Sequence, residues 1–257
     1  MEDKACVLGF GTVGQATALS FGIKKYYSRS KANITLEEAA NCRYIFICLP
    51  TPTVNGKCFT DDIYETIKTI AAFKKQNIFI IRSTVYPGFS RDIQKSLGIK
   101  TIVSNPEFLS EDTANEDAKQ PDLIVLGGDQ DKYLKEVAGL YAGRFKYSPT
   151  YVTDSVTAEL IKYTLNAFFA TKVVFANTIY DYTRSVGGNY ETVKTVLEKH
   201  PWGSKNHFRV FDKGGRGAGG KCLQKDLESI MLESNSAFFN AVKLINEQLL
   251  KDYPKER

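Results

Sequence analysis

The 257-residue chain contains no CxxC pair. Its five cysteines (Cys6, Cys42, Cys48, Cys58 and Cys222) are scattered, with no histidine at ligand spacing beside them. No metal site is therefore expected, and an odd number of dispersed thiols points to a reducing cytoplasm. No apolar stretch approaches the length needed to cross a bilayer, and Met1-Glu2-Asp3-Lys4 lacks the layout of a signal peptide, so the expectation is a soluble cytoplasmic protein with no membrane partner. The net charge of +5 is spread over 34 basic and 29 acidic side chains without a long basic run. A nucleic-acid partner is not expected, whereas an anionic small molecule suits this balance. Internal repeats and low-complexity tracts are also missing.

What is present is 43% apolar residues, enough to build a sizeable core. Short β-branched and aromatic runs occur at Ala5 to Leu8, Lys25 to Ser28, Tyr44 to Leu49, Ile78 to Arg82, Thr101 to Ser104 and Leu123 to Gly127. Helical patterns alternate with them, which predicts an α/β fold with a doubly wound parallel sheet. Asp61 to Lys75 carries a helical stripe with an Asp cap, and Thr35-Leu36-Glu37-Glu38 reads as a capping box. After Pro149 the pattern turns to long helices without strands. Ser155 to Val186 is one such helix and Leu223 to Leu250 another, with a glycine-rich loop region between them. The predicted division is residues 1–150 and an all-α domain at 151–257, with the boundary near 148–154.

Gly9-Phe10-Gly11-Thr12-Val13-Gly14 follows the first strand and opens a helix. Its glycines permit a tight turn and its helix N-terminus can face a pyrophosphate, so Gly9, Gly11, Thr12, Val13 and Gly14 are assigned to a dinucleotide in a Rossmann-like domain. The acid that usually ends the second strand is missing, because that region reads Tyr26-Tyr27-Ser28-Arg29-Ser30. Ser28 and Arg29 suit a 2′-phosphate there, which leaves NAD and NADP both open.

Cys222 follows the cluster Gly214 to Gly220 and stands at the predicted start of a helix, where free N–H groups and the helix dipole favour a thiolate. Asp226 lies one turn further along, placed to handle a proton. Lys162 and Asn166 are also one turn apart, and a cation with an amide donor suits a developing oxyanion.

Several segments, in this order along the chain, resemble the UDP-glucose and GDP-mannose dehydrogenases. They are Leu49-Pro50-Thr51-Pro52-Thr53, Ser83-Thr84-Val85-Tyr86-Pro87-Gly88, Ser104-Asn105-Pro106-Glu107-Phe108-Leu109-Ser110-Glu111, Ala158-Glu159-Leu160-Ile161-Lys162-Tyr163 with Asn166, and Gly219-Gly220-Lys221-Cys222-Leu223-Gln224-Lys225-Asp226. The resemblance implies a nucleotide-sugar substrate whose C6 alcohol is oxidised twice, with Cys222 as nucleophile and Lys162 and Asn166 as oxyanion stabilisers. Thr84, Glu107, Glu111 and Asp226 match positions linked to proton transfer and water activation. Pro50, Thr51 and Thr84 join the cofactor set. The family's third, nucleotide-holding domain is absent from the given sequence, and Gln224 replaces a proline of the family pattern. Aromatic residues on more than one side of Ser155 to Val186 predict burial against a second subunit, hence a homodimer. Two other readings stand beside this one: a hydroxyacid-type dehydrogenase that uses Lys162 without a covalent adduct, and a non-catalytic dinucleotide-binding protein.

Overall fold

The structure, a computed structural model, describes residues 1, 3–54, 56–110, 113–203 and 205–254, and for 221 and 222 the backbone alone. In chain order its strands are β1 (Ala5–Leu8), β2 (Lys25–Tyr27), β3 (Tyr44–Ile47), β4 (Thr53–Val54), β5 (Lys57–Cys58), β6 (Ile78–Ile81), β7 (Ile102–Ser104), β8 (Ile124–Gly127) and β9 (Thr150–Thr153). The helices are α1 (Thr12–Phe21), α2 (Leu36–Ala39), α3 (Asp61–Ala71), α4 (Phe89–Leu97), α5 (Ala114–Lys119), α6 (Asp131–Arg144), α7 (Ser155–Ser185), α8 (Tyr190–Lys199), α9 (Lys221–Ser234) and α10 (Ala237–Asp252). They form two compact units: Met1–Pro52 with Cys58–Lys162, and Thr53–Lys57 with Tyr163–Arg257.

The first unit is built on a seven-stranded sheet of order β2-β1-β3-β6-β7-β8-β9. Its pairings are parallel except β7 with β8, which meet antiparallel at Ser104 and Gly127. The Tyr-Ile-Phe-Ile and Ile-Phe-Ile-Ile runs of β3 and β6 are apolar throughout because both faces of the sheet are covered. Their period-two alternation sends Phe46, Ile78 and Ile80 to one core, shared with Phe21 and Tyr141. Ile45, Ile47, Phe79 and Ile81 go to the other, shared with Ile63, Ile67 and Ile70 of α3. The order β2-β1-β3 places a reversal of winding beside β1, and a crevice for ligands opens at the carboxyl ends of such strands.

The capping box is present: Thr35 Oγ1 accepts from Glu38 N at 3.1 Å and Glu38 Oε2 accepts from Thr35 N at 2.7 Å. Other local expectations are corrected. Helix α3 follows Thr60 with no side-chain cap bond, so Asp61 sits in its first turn, where a carboxylate complements the dipole. It stops at Ala71 rather than Lys75, and Lys74 takes a left-handed φ of 53°. A strand does follow Pro149: β9 pairs parallel with β8 through Thr150–Ile124 to Thr153–Gly127.

Helix α7, whose residues from Tyr163 onward belong to the second unit, runs as expected, ending one residue earlier. The single helix predicted from Leu223 to Leu250 is two helices, because Asn235 adopts φ 49° and Ser236 opens α10. Residues 190–199, expected as part of a loop region, form α8, capped by Asn189 accepting from Thr192 N at 3.1 Å. Ala167, Ala170 and Val174 of α7 pack with Ala218, Leu227 and Val242 as this unit's core.

Candidate active site

The glycine turn after β1 is shaped by contact. Gly9 has φ +90°, and a Cβ there would lie 2.3 Å from the Cys48 carbonyl oxygen. A Cβ on Gly14 would lie 1.9 Å from the Gly9 carbonyl oxygen. Any other residue at either position would push the turn away from β3 or α1 from the turn. Above Gly11, the N-cap of α1, a Cβ would meet nothing within 4 Å, and no side chain caps the first turn, where Thr12 and Val13 lie. The first-turn N–H groups of α1 carry no side-chain cap and the space beside Gly11 is open, a cradle that fits the pyrophosphate of a dinucleotide.

At the end of β2 the Ser28 hydroxyl donates to Lys31 O at 2.7 Å and accepts from Lys31 N at 3.1 Å. Arg29 pairs with Asp62 at 2.8 Å. The loops after β3 and β6 are tied together: Thr51 Oγ1 donates to Thr84 O at 2.7 Å, and Ser83 Oγ to Leu49 O at 2.7 Å. Pro50 between them is exposed. These loops leave the carboxyl ends of parallel strands, the same edge as the glycine turn.

The same unit holds a buried ion pair. Lys162 Nζ donates to Glu107 O at 2.8 Å and lies 3.2 Å from Glu107 Oε1, with the two side chains only 7% and 11% exposed. Glu107 Oε2 accepts from Leu109 N at 2.7 Å, so both carboxylate oxygens are occupied. One turn before Lys162, the buried Glu159 accepts from Gly88 N at 2.7 Å, Ser90 N at 3.1 Å and Ser104 Oγ at 2.9 Å. Burial raises its pKa, opposed by those bonds. Arg82 and Tyr141 both donate to Asn105 Oδ1, and Asn105 Nδ2 donates to Val125 O at 2.8 Å.

In the second unit Asn166 Nδ2 donates to Asp226 Oδ2 at 2.5 Å. Asp226 is fully buried; its other oxygen lies 3.1 Å from Lys225 Nζ, an ion pair that lacks hydrogen-bond geometry. Cys222 belongs to the first turn of α9 behind Gly220, which has φ +80° and offers no side-chain cap. Its thiol lies outside the described residues, as does Glu111 altogether.

The glycine segment before it is pinned. Arg216, 2% exposed, donates to Asn177 Oδ1 at 2.8 Å, pairs with Asp181 at 2.8 Å, and lies against the rings of Tyr180 and Tyr253. The Asn246 amide grips Ala218, accepting from its N–H at 2.6 Å and donating to its carbonyl at 3.1 Å.

The structure therefore joins Thr51 with Thr84, Lys162 with Glu107, and Asn166 with Asp226. Glu159, Arg82, Arg216 and Asn246 were given no role by the sequence. The signals for Glu159 were its place in the family-resembling segment Ala158 to Tyr163 and its position three residues before Lys162, on the same side of the helix.

A seven-stranded mainly parallel sheet with a glycine turn at β1 defines a Rossmann-like fold. Residues 24–144 match the UDP-glucose/GDP-mannose dehydrogenase family, NAD binding domain, and residues 156–249 match its central domain. The chain belongs to this family. It is 35% identical over 202 residues to a UDP-glucose 6-dehydrogenase of Rickettsia felis, covering 76% of this chain and 44% of that protein. The chain thus spans less than half the length of that relative. Among solved structures it superposes on a UDP-glucose dehydrogenase from Pyrobaculum islandicum with TM-score 0.83 and 24% identity, over 98% of this chain and 71% of that one. A 3-hydroxyisobutyrate dehydrogenase of Mycobacterium tuberculosis shares the fold, with TM-score 0.75 and 12% identity over 98% and 95% of the two chains.

Proposed function

We propose that the chain carries the chemistry of a nucleotide-sugar dehydrogenase of the UDP-glucose 6-dehydrogenase type, oxidising a sugar C6 alcohol twice to a carboxylate through Cys222. The observation that carries this reading is the burial of both family-motif pairs, Lys162–Glu107 and Asn166–Asp226, in full side-chain contact. Buried charges are costly and persist where paired or put to use.

Bound against the glycine turn, a nicotinamide dinucleotide supplies the hydride acceptor for both oxidations. In each oxidation the substrate oxygen must lose or share a proton while hydride leaves carbon. Lys162 and Asn166 are the donors that stabilise the oxyanion so formed. The Cys222 thiolate adds to the aldehyde carbon, forming the C–S bond of a thiohemiacetal. Loss of a second hydride and of the hydroxyl proton leaves a thioester. Water then attacks that carbonyl, the C–S bond breaks, and the thiol and the carboxylate are released. Asp226, Glu107, Glu111 and Thr84 are the groups assigned to the proton steps. Pro50, Thr51, Thr84, Ser28 and Arg29 complete the cofactor set with the glycine turn. The domain division in this reading falls between residues 150 and 151.

A homodimer belongs to the same proposal. Phe168, Phe175 and Tyr182 of α7 recur every seven residues and are 52%, 48% and 65% exposed, a stripe suited to a second copy. Light scattering checks it, and a monomer at micromolar concentration rejects it. The reading also places the enzyme in the cytoplasm. No helix among the described residues is long and apolar enough to cross a membrane.

Cofactor reduction with UDP-glucose, followed by nicotinamide absorbance, tests the main reading. Two reduced cofactors per sugar are expected, and Cys222→Ala should stop acid formation. The hydroxyacid reading draws support from the superposition covering 95% of a 3-hydroxyisobutyrate dehydrogenase. It requires that Cys222→Ala leave turnover on a small hydroxyacid intact.

A further inference from the structure

The matched domain is described as NAD binding, yet the place that ordinarily selects NAD is altered in this chain. An acid at the end of the second strand binds the ribose hydroxyls of NAD, and it would repel a phosphate on the 2′ position. Here β2 is followed by Ser28-Arg29-Ser30-Lys31-Ala32-Asn33, with no acid before Glu37. We infer that this turn selects a dinucleotide with a 2′-phosphate on its adenosine ribose, and that Lys31 is the residue that reads it. The inference rests on the dinucleotide reading of the glycine turn and not on the sugar chemistry.

The turn is built to hold one cation beside the pyrophosphate cradle. Ser28 N donates to Lys31 O at 2.9 Å, and the Ser28 hydroxyl bonds both polar backbone groups of Lys31. Asn33 ties the returning chain to β2, accepting from Tyr26 N at 2.8 Å and donating to Lys24 O at 2.7 Å. Folded back in this way, Lys31 places its ammonium 5.6 Å from the ring centre of Phe10 and 5.7 Å from that of Tyr26. Those rings are stacked at 3.8 Å. Phe10 is the residue between Gly9 and Gly11, and Gly9 N donates to Tyr27 O at 2.8 Å, which joins the end of β2 to the glycine turn. The ammonium is thus held against the loop that receives the dinucleotide, on the side where the adenosine ribose lies in this fold.

Arg29, the other cation of the turn, is opposed by Asp62 at 2.8 Å and contributes little net charge. Lys31 is exposed, and its ammonium lies beside the stacked pair, nearly equidistant from both ring centres, so its three N–H donors remain available to phosphate oxygens. Lys31, rather than Arg29, therefore sets the preference.

The test is a binding measurement that needs no turnover. Adenosine 2′,5′-bisphosphate and adenosine 5′-monophosphate are titrated calorimetrically into the full chain, with NADPH and NADH fluorescence as a second pair. A charge-assisted contact of this kind predicts a Kd ratio of about tenfold or more in favour of the 2′-phosphorylated partner of each pair. Lys31→Ala should bring that ratio towards one and Lys31→Glu should invert it. Arg29→Ala should change it less than Lys31→Ala does. Equal or tighter binding of the partner lacking the 2′-phosphate overturns the inference, as does an unchanged ratio in Lys31→Ala. Binding of neither adenosine ligand nor either reduced dinucleotide overturns it together with the dinucleotide reading itself.

Discussion

Replacing Glu159 with glutamine is a small change in volume and a large one in hydrogen bonding. The carboxylate receives two backbone N–H groups, from Gly88 and Ser90, on different oxygens, with Ser104 Oγ sharing the second. A glutamine has one carbonyl oxygen, so either orientation turns its NH₂ towards one of those N–H groups. One buried donor then loses its acceptor, at a cost of about 2–3 kcal/mol. For a chain of this size that lowers Tm by about 4–12 °C. Urea unfolding followed by circular dichroism measures the difference directly. A variant within about 0.5 kcal/mol of the native chain would refute the reasoning. The pH dependence supplies a second check with a fixed sign. Burial raises the Glu159 pKa, so the folded chain keeps this proton at pH values where the unfolded chain has released it. The group's contribution is complete below the unfolded value of about 4.3 and falls as pH rises towards the folded value. Glutamine does not titrate, so the native chain's advantage should shrink as pH rises through that window; an advantage that grows would contradict the assignment.

Lys162→Met removes the donor assigned to the oxyanion and should lower kcat by about 10²–10³ with cofactor affinity retained, as steady-state kinetics beside a binding titration will read. Arg216→Leu deletes the bonds to Asn177 and Asp181 and two ring contacts, and should destabilise the second unit by about 2–4 kcal/mol, visible as a lowered urea midpoint. Burial pushes the Cys48 thiol up to about 11, so maleimide at neutral pH should leave it unmodified in the folded chain and label it once urea is added; peptide mapping decides.

What the sequence made legible was local. The glycine turn, the Thr35–Glu38 box and the apolar runs of β3 and β6 each declare themselves within a few residues, because the physics that forms them acts over that range. The break at Asn235 was hidden because Phe238 and Phe239 resume an apolar pattern soon after Leu232, and periodicity alone bridges a two-residue interruption. Strand β9 was hidden because Thr150-Tyr151-Val152-Thr153 is an edge strand with little burial, so it lacks the contrast between faces that marks an inner strand.

The candidate site divides in the same way. Glu159, Lys162 and Asn166 recur at i, i+3 and i+7 on α7 and are all buried, at 3%, 6% and 6% exposure. A polar stripe on a buried helix face inverts the usual amphipathic pattern, and each such residue needs a partner because an unpaired buried charge is not sustained. From sequence that requirement is readable, yet the partners are not. Glu159 finds Gly88 71 residues away, Lys162 finds Glu107 at 55 and Asn166 finds Asp226 at 60. Only the folded chain brings those separations to hydrogen-bond distance. The partners nevertheless fall within the segments that carried the family resemblance, near Thr84, at Glu107 and beside Cys222. A segment that supplies the partner to a buried polar stripe is constrained by the fold that must bury the pair. The turn after β2 binds no buried charge, so packing does not dictate whether an acid or Ser28-Arg29-Ser30-Lys31 stands there.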